Sequence, residues 1–151
     1  MNVFEYISSS TEETMSLSEK LAGYLQPGDV LTLEGDLGAG KTTFTKGLAK
    51  GLGIEKMVNS PTFTIIKEYS GRLPLYHMDV YRVTDEYEDL GFDEYFEGEG
   101  VTVVEWAHLI GDQLPLDRLD IRISHEPDNK RKLLFNPKGS RYEQLCKEFF
   151  S

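Results

Sequence analysis

Cysteine is nearly missing from this chain: Cys146 is the one thiol in 151 residues. That excludes an internal disulfide framework and a four-cysteine zinc site. Within a C-terminal helical pattern, Cys146 reads as a packed core residue, and a reducing, cytoplasmic setting is expected. No apolar run approaches the roughly 20 residues that cross a bilayer, so no membrane segment is expected. The opening "MNVFEYISSSTEE" lacks a basic stretch followed by an apolar one, so no secretory signal is expected either. Cations are scarce too: 16 Lys and Arg stand against 26 Asp and Glu, for a formal charge of −10. A domain that gripped nucleic acid by itself would carry a basic face. The late basic residues, "NKRK" at 129–132 with Lys138 and Arg141, read instead as a solvated strand face.

What is present suits a globular protein, with 39% apolar and 28% charged residues. The length suits one domain spanning 1–151. "VFEYI" (3–7) alternates like a strand. Ser10 followed by Glu13 is a capping-box pattern, and Leu17, Leu21, Tyr24 and Leu25 recur at helical spacing until Pro27-Gly28. "DVLTLEG" (29–35) reads as a buried strand. Phe44, Leu48 and Leu52 predict a helix closed by Gly51 and Gly53. "TFTIIKEY" (62–69) and "RLPLYHMDVYR" (72–82) predict a hairpin around Ser70-Gly71, with Pro74 weakening the start of the second strand. The acidic "VTDEYEDLGFDEYF" predicts a short helix plus loop. "GVTVVEW" (100–106) has the form of a central parallel strand. "DRLDIRI" and "RKLLFN" predict two strands, paired with each other, and "SRYEQLCKEFF" a closing helix. The expected class is α/β, with a mixed sheet.

Glycine is spent most densely in "EGDLGAGKTTF" (34–44). Gly35, Gly40, Lys41 and Thr42 match G-x-x-x-x-G-K-[ST], the phosphate-binding P-loop. Positions without side chains let the backbone curl so that successive N–H groups point at phosphate oxygens. The helix that follows adds the positive end of its dipole. Lys41 would reach the β- and γ-phosphates, and the Thr42 hydroxyl would ligate Mg²⁺. A strand precedes the motif and a helix follows it, as the chemistry requires, so a nucleoside triphosphate is the expected ligand.

Such a site also needs a carboxylate at the end of a neighbouring strand. Two candidates exist. Glu105 closes "VTVVE" and is favoured for the metal. Asp79, in "LYHMDVYR", shares a strand face with His77 and Tyr81 and is expected to orient water or Mg²⁺. His77 alone reads as structural. "SPTFT" (60–64) falls where many P-loop proteins place a loop sensing the γ-phosphate, although Ser-Pro there is equally a turn before a strand. A small-molecule kinase would share the P-loop and metal site, but the length leaves little room for a lid and second pocket. A regulatory GTPase would need N-K-x-D, and "NKRK" has lysine in place of the aspartate. A nucleotide-dependent scaffold that never hydrolyses stays open.

Together, "GDLGAGKTT", "SPTF", His77-x-Asp79-x-Tyr81-Arg82 and "VVEW" (103–106), in this order, closely resemble the TsaE family, also called YjeE. These are P-loop ATPases of bacterial tRNA threonylcarbamoyladenosine synthesis, and the resemblance covers about residues 8 to 135. It implies a P-loop NTPase-type three-layer domain with a mixed, mostly parallel central sheet. It further implies a weak Mg²⁺-dependent ATPase working with TsaD and TsaB, which install threonylcarbamoyl on adenosine 37 of tRNA. In that scheme hydrolysis resets the complex between turnovers, and tRNA is met only through the complex. By position, the resemblance assigns phosphate binding to Gly35, Asp36, Leu37, Gly38, Ala39, Gly40, Lys41, Thr42 and Thr43. It assigns the metal to Thr42 and Glu105, and catalytic surroundings to Lys41, Asp79 and Glu105. Trp106 would lie beside the site, with Thr11 approaching the adenine and Arg131 flanking the base.

Overall fold

The computed structural model describes residues 3–35, 40–55, 66–80 and 91–151. The elements run β1 (Phe4–Ser8), α1 (Thr11–Ala22), β2 (Val30–Glu34), α2 (Lys41–Gly51), β3 (Ile66–Tyr69) and β4 (Leu75–Asp79). They continue with α3 (Phe92–Phe96), β5 (Val101–Glu105), a 3₁₀ helix (Ala107–Gln113), β6 (Arg118–Glu126), β7 (Lys130–Lys138) and α4 (Ser140–Phe149). The strands among the described residues join one sheet in the order β1-β7-β6-β2-β5-β4-β3. The four central strands are mutually parallel, and antiparallel partners flank them on both sides. This is the P-loop NTPase-type α/β architecture.

Burial explains which strands take which places. Every residue of β5 is buried, as a strand covered on both faces must be. Leu31, Leu33, Val103, Ile121 and Phe135 face a core closed by α1, α2 and α4. Val30, Met78 and Val104 face a second, smaller core with Phe92, Phe96 and Ile110. Two cores on opposite faces make three layers. β6 instead alternates buried with exposed or half-buried positions, because one of its faces is open. On that open side a groove of about 430 Å³ runs past Glu34, His108, Arg118, Asp120, Arg122 and Asn136.

Helix α1 stops at Ala22, short of the expected Pro27-Gly28, with Gly23 as its cap. Tight turns follow, donating Tyr24 N–H to Leu21 and Leu25 N–H to Ala22. Leu25 still reaches the core while Tyr24 turns out to solvent, so helical spacing outlasted the helix itself. Ser10 caps α1 through a bond from Glu13 N–H to its Oγ, and the Glu13 carboxylate reaches back to Ser9 N–H. The β6–β7 hairpin closes through the three residues Pro127, Asp128 and Asn129, the last two at positive φ, which both residue types tolerate. The 3₁₀ helix after β5 has no counterpart in the sequence reading.

Helices α1 and α2 pack closely and point the same way. A Cβ on Gly47 would run into Ser18 and the Met15 backbone, and one on Gly51 into Glu19 and Ala22. Contacts therefore climb both helices together. Gly47→Ala is expected to cost about 1–3 kcal/mol through helix displacement, although alanine favours helix. Urea denaturation of the variant against wild type measures it.

The start of β2 is pinned from α4. Val30 N–H donates to the Tyr142 hydroxyl at 2.9 Å, and the Arg141 guanidinium grips Asp29 at 2.7 Å. Cys146 is buried in the same core as expected, and burial pushes its thiol up to about 11. Burial likewise pushes the Tyr142 hydroxyl up to about 12, outweighing the Val30 bond that pulls it down. Because the folded value lies above the unfolded one, Tyr142 stabilises the fold fully below about pH 10. That contribution, on the order of 1–2 kcal/mol, should fade as pH rises from about 10 to 12. Tyr142→Phe should flatten this part of the stability–pH curve. It should also lower stability at neutral pH by about 1–3 kcal/mol, through the orphaned Val30 amide.

Candidate functional site

The chain leaves β2 through α2 on one face of the sheet and leaves its neighbour β5 through the 3₁₀ helix on the other, so the ends of β2 and β5 flank a switch point of the sheet. Ligands of such sheets bind beyond the strand ends at that place. Gly35 follows β2 directly, and Gly40 precedes α2. Gly40 has φ 114°, a conformation that side-chained residues rarely adopt, while a Cβ there would meet Ile123 only at 3.9 Å. Backbone shape, rather than lack of space, calls for glycine. Asp36, Leu37, Gly38 and Ala39 lie outside the described residues, as do "SPTF", Tyr81 and Arg82.

Gly40 gives α2 no side-chain cap, unlike Ser10 at α1, and α2 carries no acid in its first turn. That end favours an anion. Lys41 opens the helix and is 8% exposed, with its Nζ 4.3 Å from the centre of the Trp106 ring. A cation over an indole face gains electrostatic attraction there. Thr42 and Thr43 follow, both half-buried.

Glu105 ends β5 beside β2, and Asp79 ends β4 directly opposite Glu105 in the parallel register. Glu105 is buried at 4% exposure and Asp79 is half-buried. The next residue, Trp106, sits in the left-handed region at φ 61° and ψ 33°. A bulky residue pays roughly 1 kcal/mol or more for that conformation, which turns the chain out of the strand. His77 lies on the same face of β4 as Asp79 and contacts Glu105. At the end of β2, the Glu34 carboxylate accepts hydrogen bonds from His108 N–H and the His108 ring, each at 3.0 Å. The His77 and Glu34 contacts were missed from sequence. Each joins residues distant in the chain, 28 and 74 positions apart, the first between β4 and β5 and the second between β2 and the 3₁₀ helix.

Thr11 is the first residue of α1 and is exposed. It precedes Met15 by the same interval that separates Thr43 from Gly47, so the parallel helix packing sets Thr11 level with the start of α2. Arg131 lies on β7 opposite His125 of β6 and Ser8 of β1, at the sheet end where β2 meets Gly35. Its Nη1 donates to the Asn129 and Lys130 carbonyls of its own turn.

The family model described as threonylcarbamoyl adenosine biosynthesis protein TsaE matches residues 8–133. The chain belongs to the TsaE family. A tRNA threonylcarbamoyladenosine biosynthesis protein TsaE of Bacillus subtilis is 61% identical over 149 residues, covering 98% of this chain and 94% of the relative. A TsaE of Treponema pallidum is 41% identical, covering 84% and 96% of the two chains. The crystal structure of Bacillus subtilis YdiB superposes with a TM-score of 0.88 at 54% identity, covering 99% of this chain and 95% of that one. TsaE membership thus accounts for the order of motifs along the chain. No helix among the described residues is long and apolar enough to cross a membrane.

Proposed function

We propose that this chain is an ATP-binding and ATP-hydrolysing subunit of the machinery that makes N6-threonylcarbamoyladenosine at position 37 of tRNA. One observation carries the reading. Where β2 meets the glycine loop, a buried lysine opens an uncapped helix, with a buried carboxylate closing the adjacent strand. Lys41 and the amides at the start of α2 would hold the phosphates. The donors near them fit Mg²⁺: the Thr42 hydroxyl and the Glu105 carboxylate are hard oxygen ligands, few in number, as this ion takes alongside phosphate. Bound Mg²⁺ would neutralise charge on the β- and γ-phosphates. Asp79, opposite Glu105, would orient water, and Trp106 would wall the site beside Lys41. Thr11 and Arg131 would approach the base from the neighbouring helix and hairpin.

TsaD and TsaB are the partners this reading names, and the charge of −10 leaves tRNA to be held by them. Hydrolysis would serve the assembly, in the cytoplasm, rather than activate a substrate of this chain. Phosphate release from ATP and from GTP, with and without TsaD and TsaB, tests the reading. ATP-selective release that rises with the partners is expected. Release that stays at background with partners present would make the chain a non-hydrolysing nucleotide-dependent scaffold.

A further inference from the structure

Glu105 has a fixed companion. The His77 ring is fully buried on β4, and its Nε2 lies 2.5 Å from Glu105 Oε2. Toward an ionised Glu105 carboxylate, which can only accept, Nε2–H is the donor. The other ring nitrogen, Nδ1, is buried with no hydrogen-bond partner among the described residues. Glu105 is therefore the one hydrogen-bond partner of this imidazole among them. A histidine kept only to brace the fold would be expected to use both nitrogens, since an orphaned buried polar atom is costly. Among the described residues this ring uses only the nitrogen that faces the acid.

We propose that His77 is a positioning residue, which holds the Glu105 carboxylate in one orientation toward the metal of a bound nucleotide. The inference rests on the reading of Glu105 as the metal acid. Glutamate has three rotatable side-chain bonds, and a carboxylate this buried needs a hydrogen-bond donor to hold one orientation. A packed ring between two parallel strands supplies that donor without freedom of its own. Hydrogen-bond partners of metal-binding groups commonly change metal affinity 10- to 100-fold when removed.

Calorimetric titration of the full chain with ATP, with and without Mg²⁺, separates the roles. Wild type should gain affinity with Mg²⁺. If it does not, the reading of Glu105 falls and this inference with it, before any variant is compared. His77→Leu should bind metal-free ATP within about twofold of wild type yet lose about tenfold of the Mg²⁺ gain. His77→Gln, whose amide can reach and donate, should keep most of that gain. A full Mg²⁺ gain in His77→Leu, or equal losses in both variants, would overturn the proposal. Nitrogen-15 NMR of the histidines needs no folded variant of His77, because His108 and His125 variants assign the third signal. The proposal requires an Nε2–H tautomer whose proton shifts when Mg²⁺ joins ATP. An Nδ1–H tautomer, or a signal indifferent to Mg²⁺, would sink it.

Discussion

Lys41→Ala is expected to weaken ATP binding about 10- to 150-fold, with the fold intact. A lysine hydrogen-bonded to phosphate contributes roughly 1.5–3 kcal/mol, and alanine offers nothing in exchange. Because the position opens α2, alanine suits the helix. Removal also uncovers the Trp106 ring face, which Lys41 Nζ approaches at 4.3 Å. Lys41→Met keeps much of that apolar cover, so the two variants together separate charge from packing. Calorimetry should find both far weaker than wild type. Near-normal ATP affinity in either folded variant would remove Lys41 from the phosphate site.

Glu105→Gln should act differently. The amide oxygen can still accept from His77, so the buried contact survives and the fold should hold. What disappears is the negative charge. ATP binding should stay within about tenfold of wild type, while Mg²⁺-dependent hydrolysis in the partner complex should fall about 100-fold or more. Asp79→Asn, made opposite it in the register, should reduce hydrolysis with less effect on its Mg²⁺ dependence. The reverse ranking in a phosphate-release assay would make Asp79 the metal acid.

The features legible in the sequence were those whose cause is local. The strand before the glycine stretch and the helix after it could be read, because an apolar run and helical spacing are both local, and Gly40 does take a φ of 114°. The valine run of β5 announced a strand covered on both faces, and β5 does lie between β2 and β4. Alternation correctly put His77 and Asp79 on one face of β4. That face meets Glu105 only through the parallel register, which sets His77 opposite Val103 and Asp79 opposite Glu105. Register comes from packing both cores at once, and no short window contains it. The left-handed turn at Trp106 was equally hidden, since tryptophan gives no local sign of it. The Asp128-Asn129 turn could have been read, because both residue types tolerate positive φ.

The measurement that reaches the central claim most directly uses the only tryptophan of the chain. Trp106 emission should change on titration with Mg²⁺–ATP and saturate at one nucleotide per chain. The same titration of Lys41→Ala should stay flat at those concentrations. Flat wild-type emission with calorimetrically confirmed binding, or an equal change in Lys41→Ala, would place the nucleotide elsewhere.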